Sequence, residues 1–254
     1  MDPQRRVAVY FSGHIRNFKE NIANFRRVFQ HPNVTFDYYF TFWRVNHNAM
    51  NDSWRHNNRT NKKLVDIAHI TEADVYEICP EAKKVVILHE FELPEEYAPY
   101  KPSAVFQAYS LYKAFQELPD TYDLYVRMRP DIYFFKGVDW GYILNSRDTH
   151  DLFISETVHF KLKNYPSGDI FDDLFWVSNY TAGKYLSNLF TSITSMNGGR
   201  AMEHYFATHL SNNNYRIAYH PFDIALERRT RGFDADLEET PVYTRRRKEE
   251  GDFI

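Results

Sequence analysis

Cysteine is nearly absent: Cys79 is the only one in 254 residues, which excludes an intramolecular disulfide and a multi-cysteine zinc site and fits a reducing compartment. An excess of one charge is also missing. Thirty-one Lys and Arg stand against 34 Asp and Glu, a net charge of -3, so no general field draws the chain to nucleic acid or an anionic membrane, and any basic site must be local. No run of about 18 apolar residues occurs, so no membrane span is expected. The opening MDPQRRVAVYFSG carries too short an apolar run for a signal peptide, and a cytoplasmic location is the expectation. Neither GxGxxG nor GxxxxGK is present, which disfavours a dinucleotide-binding or P-loop enzyme, and there is no internal repeat.

Aromatic side chains are abundant, with 19 Tyr and 21 Phe; such rings line concave sites for polar ligands such as sugars, and they also fill cores. Arg6 to Phe11 reads as a buried strand that breaks at Ser12-Gly13. Phe18, Ile22, Phe25 and Phe29 then recur at helical spacing on one face. Phe36 to Phe42 and Lys84 to Leu88 are further strands, separated by a helix around Thr71 to Ile78, whereas the Asn-rich, basic stretch 44–63 reads as a long loop. A helix capped by Ser103 presents Ala104, Ala108, Leu111, Phe115 and Leu118 on one stripe and stops at Pro119. The strand Asp123 to Met128 follows. Leu174 to Ser178 and Arg216 to His220 read as strands, Ala182 to Ile193 and Ala201 to Leu210 as helices. The alternation predicts an α/β fold, a mainly parallel sheet flanked by helices, in a single domain over 1–233 with a charged C-terminal arm over 234–254.

The segment YDLYVRMRPDIYF, Tyr122 to Phe134, runs a buried strand straight into Arg127, Arg129 and Asp131. In open α/β sheets ligands bind beyond the carboxyl ends of the strands, where a carboxylate can hold a divalent ion and arginines can meet phosphate. An arginine–aspartate pair that merely closes the strand end fits the same residues. Gly13 allows close backbone approach to a ligand, and Ser12 and Arg16 flank it at the start of the first helix.

Several ordered segments, VAVYFSGHIRNF, FDYYFTFW, QAYSLYKAFQEL, YDLYVRMRPDIYF, DIFDDLFWVSN and EHYFATHL, together resemble GT-A-like glycosyltransferases of bacterial and large-virus polysaccharide synthesis. The resemblance implies a GT-A-like (Rossmann-like) catalytic domain. It also implies a UDP- or GDP-sugar donor bound over the first strands and transfer of a hexosyl or pentosyl group to a glycan acceptor. It puts the base or ribose pocket at Thr41 and Trp43, although Trp43 could equally cap the core. It further implies an Asp-x-Asp metal motif after the central strand. Here Arg129 stands in place of the first aspartate, leaving Asp131, with His220 of AYHPFD as the second expected ligand for Mn2+ or Mg2+. A strand-end histidine also fits a purely structural role.

In an inverting transfer one carboxylate takes the acceptor hydroxyl proton, and Asp173, with Asp172 next, is the candidate base in SGDIFDDLFWVSN. Glu203 is a further acidic position that the resemblance points to, and a solvated helix charge fits it too. Two other classes remain consistent with the residues: a nucleotide-sugar-binding or hydrolysing protein, and a sugar-binding module that ignores the nucleotide.

Overall fold

The computed structural model describes residues 4–16, 18–44, 69–89, 93–97, 102–155, 174–196, 202–230 and 240–245. Strand β1 (Arg5–Gly13) is buried from Val7 to Ser12, and its period of two divides the core: Val7, Val9 and Phe11 enter one apolar layer, Ala8 and Tyr10 the other. A strand buried on both faces needs helices on both sides. Helix α1 (Phe18–Val28) covers the first layer with Phe18, Ile22 and Phe25, and Phe29 extends the same face. β2 (Val34–Trp43) pairs parallel with β1. Helix α2 (Glu72–Ile78) is capped by Thr71, whose hydroxyl oxygen accepts from the Asp74 N–H while the Asp74 carboxylate accepts from the Thr71 N–H, a capping box, and it leads into β3 (Lys84–Leu88), parallel to β2.

Helix α3 (Pro102–Gln116) lays Ala104, Ala108, Leu111 and Phe115 into the second layer, with Leu118 just beyond it. It starts at Pro102 rather than after Ser103, because the ring of proline is pre-set for the first helical position. β4 (Leu124–Met128) returns beside β1, parallel to it. After it come β5 (Ile132–Phe134), α4 (Trp140–Ser146), β6 (Leu152–Ser155), β7 (Phe175–Ser178), α5 (Tyr180–Ser187), α6 (Leu189–Ser192), α7 (Met202–Ser211), β8 (Ile217–His220), β9 (Ile224–Thr230) and β10 (Thr240–Arg245). The helix expected over 182–193 is thus two, divided at Asn188, which closes α5 and opens α6.

The main sheet has seven strands in the order β3-β2-β1-β4-β7-β6-β8; it is mixed and mostly parallel, with β7 antiparallel to both neighbours. A second sheet, β10-β9-β5, is antiparallel. Its strand β10 lies within the stretch expected to be a charged arm. The run Pro-Val-Tyr-Thr at 241–244 pairs with β9, and such pairing is non-local and leaves little mark on a sequence window. Among the described residues no helix is long and apolar enough to cross a membrane. The chain runs from β1 outward to β2 and β3, then returns to the other side of β1 as β4. That reversal opens a crevice beyond the carboxyl ends of β1 and β4.

Candidate functional site

Two turns meet at that crevice. β1 ends at Gly13, whose φ of 115° is a backbone conformation that glycine adopts without strain, and the turn that follows holds Arg16 at φ 46° before α1 begins. A non-glycine residue held in the left-handed region is a local cost typical of functional turns. The second turn, Arg129-Pro130-Asp131, links β4 to β5 and is fastened from α1. The buried Asn21 gives its amide to the Pro130 carbonyl at 3.3 Å. Asn24 both donates to the Phe134 carbonyl and accepts from the Phe134 N–H, each at 2.9 Å.

Asp131 is the centre of this arrangement. Its side chain is 1% exposed, and both its oxygens accept from Arg129, Oδ1 from Nε at 3.0 Å and Oδ2 from Nη2 at 2.9 Å. The same Oδ2 accepts from Nη1 of Arg16, 115 residues away. A two-pronged fork of this kind fixes the guanidinium plane as well as its charge. Arg127, fully buried, gives Nη1 to the Leu174 carbonyl at 2.8 Å and lies 5.0 Å from the centre of the Trp176 ring. The Leu174 carbonyl also accepts from the Arg129 N–H at 3.2 Å.

Ser12, Gly13, Arg16, Trp43, Arg127, Arg129 and Asp131 line one cleft of about 40 Å3. Among the described residues its wall therefore carries three guanidinium groups and one carboxylate. Ser12 Oγ is buried in the same wall and has no hydrogen-bond partner among the described residues. Trp43 is held by its indole N–H to the Phe106 carbonyl at 3.1 Å and stacks against Tyr109. Thr41 is buried on β2 in register with Ser12, but does not line the cleft. His14 and Pro130, which belong to the two turns singled out in the sequence, also line it, as do Phe106 and Gln107, which escaped the sequence reading. Phe106 and Gln107 belong to the first half of α3, which in a doubly wound fold starts at this same edge of the sheet, and that was the available signal.

His220 is elsewhere. Its ring stacks on Tyr142, centroids 5.1 Å apart and planes within 11°, meets Phe222 edge-on at 4.6 Å, and does not line the cleft. Asp172, Asp173 and all but Arg44 of the stretch 44–63 expected as a long loop lie outside the described residues, as does the side chain of Glu203, whose backbone is in α7. Among the described residues no group of three or more His, Cys, Asp or Glu side chains could hold a metal ion. Asp131, the one carboxylate among the described residues that line the cleft, is taken up by arginines, so the described donor set does not fit a divalent cation.

A larger cavity, about 540 Å3, lies at the end of α1 and the start of β2 between Phe29, His31, Val34, Phe36 and Tyr38. It is wide open and gathers no cluster of charged groups, so chemistry rather than size selects the small cleft.

No family model matches the chain, and comparison with curated proteins finds no match. In structure the chain is similar to the galactosyltransferase LgtC in complex with donor and acceptor sugar analogues, at 12% identity and a TM-score of 0.46 over 84% of this chain and 72% of that one. An active-site mutant of LgtC gives the same figures. Mouse xyloside xylosyltransferase 1 in its apo form is similar at 10% identity and a TM-score of 0.45, over 85% of this chain and 84% of that one. The likeness is one of fold.

Proposed function

We propose that the chain is a glycosyltransferase that moves a hexosyl or pentosyl group from a UDP- or GDP-sugar to a glycan hydroxyl, with the donor diphosphate at the cleft between β1 and β4. The observation that carries this reading is the convergence of Arg16, Arg127 and Arg129 on a cleft at the switch point of the sheet, beside the buried Ser12 hydroxyl. Among the described residues two formal positive charges remain after Asp131 is counted, and a diphosphate is a ligand of opposite sign and matching geometry. The cleft has room for phosphate, not for a whole nucleotide sugar.

In the transfer, the acceptor oxygen forms a bond to the anomeric carbon as the bond from that carbon to the diphosphate oxygen breaks. The arginines stabilise the charge that gathers on the leaving group, in a partly dry cleft where each such contact counts for more than in water. Asp173 is the proposed base for the acceptor proton, Asp172 its alternative. Asp173 stands immediately before Leu174 in sequence, and the hydrogen bonds from Arg127 and from the Arg129 N–H to the Leu174 carbonyl support that reading.

The test is a thermal-shift and calorimetric panel of nucleoside diphosphates and their sugar conjugates, followed by donor consumption with and without a glycan acceptor. UDP or GDP should raise the melting temperature, and donor should be consumed only with acceptor. If no nucleotide binds, the donor-site reading is wrong; if consumption ignores acceptor, the chain is a hydrolase.

A further inference from the structure

Resting on the donor-site reading above, we propose that this chain binds the donor diphosphate without a divalent cation: Arg16 and Arg129 stand in its place, and Asp131 is a positioning residue that holds them there. A carboxylate that serves Mn2+ or Mg2+ must turn its lone pairs to the ion. Asp131 turns both oxygens to guanidinium groups instead, to the Arg129 fork and to Arg16, and water has almost no access to it. Among the described residues a divalent ion entering the cleft would meet three guanidinium groups against one carboxylate that is already shared, whereas a diphosphate meets charges of the opposite sign.

Two further features suit an anion and not a cation. Arg129 keeps 13% and Arg16 17% of its side chain exposed, so both charges reach the cleft while their orientation is set from the buried side. The Ser12 hydroxyl, buried and unpartnered among the described residues, has a proton to give to a phosphate oxygen. The arrangement is pre-formed: Asp131 prevents the two arginines from repelling each other while the cleft is empty of donor, and the ligand then completes their coordination rather than assembling it.

The experiment is titration calorimetry of UDP and GDP on the full chain, in excess chelator and then with added Mn2+, with uridine and guanosine as phosphate-free probes. The diphosphates should bind with the same Kd in chelator as in Mn2+. Arg16→Gln and Arg129→Gln should each weaken diphosphate binding about 10–100-fold, the loss of one charge-assisted contact, and leave nucleoside binding unchanged. Asp131→Asn should show the same selective loss. A general structural defect would lower nucleoside and diphosphate binding alike, and that pattern in the arginine variants would overturn the proposal. Diphosphate binding that appears only with Mn2+ and is reversed by chelator would also overturn it while leaving the donor-site reading standing. Failure of every nucleotide to bind in either condition would remove both.

Discussion

The carbonyl oxygen of Leu174 accepts a hydrogen bond from Nη1 of Arg127 at 2.8 Å, which ties the entrance of β7 to the buried end of β4. Arg127 is completely buried with its guanidinium over Trp176, a costly position for a charge whose only purpose is to close a strand end.

Arg127→Met separates stability from function. The thioether chain fills similar volume without a buried charge, and Leu174 keeps its bond from the Arg129 N–H, so the net change should be within about 1 kcal/mol, or roughly 2–4 °C in melting temperature. Diphosphate binding should meanwhile fall about tenfold or more. Thermal melting and calorimetry on the same preparation decide; a variant that binds as wild type confines Arg127 to a structural role.

Asp131→Asn leaves Arg16 and Arg129 facing each other across a neutral amide. Breaking a buried pair from one side should cost about 3 kcal/mol, or roughly 6–12 °C. Inorganic phosphate should restore more stability to the variant than it adds to the wild type, because it supplies the missing anion. Equal melting of the two proteins, with no difference in response to phosphate, would show that the carboxylate does not hold the arginines.

The segment around this site was legible because its signal is local. A strand as apolar as Leu124–Met128 that ends in Arg, Pro and Asp conflicts with burial unless those groups meet a ligand or each other, and they sit at the crevice as the strand alternation implies. The opening Ser12-Gly13 turn was legible for the same reason. What the residues could not tell was pairing at a distance: that Arg16 would reach Asp131, that β7 would run antiparallel to β4, or that β10 would find β9. His220 shows the limit most clearly. Its stacking partner Tyr142 sits on α4, a seven-residue helix too short to announce itself by period, so nothing near His220 in sequence indicated what it would face.

Gly183→Ala tests the packing of α5 on the sheet. A Cβ there would lie 2.7 Å from Ser178 Oγ and 2.9 Å from the Phe115 ring, and that ring is itself packed among Tyr10, Tyr125 and Tyr180. Alanine would gain about 1 kcal/mol of helix propensity, but overpacking costs about 1–3 kcal/mol, so the variant should be less stable by up to about 2 kcal/mol in urea titrations. A stabilised variant would mean that α5 stands off from β7.

His209 should make stability depend on pH. Burial holds its imidazole below the usual range, against the opposing effect of its bond to the Tyr185 carbonyl at 2.9 Å. Since a carbonyl only accepts, Nε2 carries the proton of the neutral ring; Nδ1 lies 3.3 Å from the Ser192 hydroxyl, which donates to the Leu189 carbonyl, and the ring also stacks on Tyr185. A depressed histidine pKa means that the unfolded chain binds the proton more readily. The contribution is therefore fully present above about pH 6.5, the unfolded value, and is lost as pH falls through the lower folded pKa. Denaturant titrations from pH 7.5 to 5 should show this decline in wild type and a flatter profile in His209→Gln; parallel profiles would assign the decline to other groups.

The base assignment yields the sharpest kinetic expectation. Asp173, the proposed base, immediately precedes in sequence Leu174, whose carbonyl accepts from Arg127 and from the Arg129 N–H. Removing a general base lowers turnover by about 10²–10⁴-fold, yet it removes no contact to the donor phosphates. Asp173→Asn should thus bind UDP or GDP as tightly as wild type in calorimetry while transfer to the glycan falls by that factor, and Asp172→Asn should be far less affected. A reversed order would move the role to Asp172. Near-wild-type turnover in both would show that neither carboxylate takes the acceptor proton, and Glu203 on α7 would be the next substitution to make.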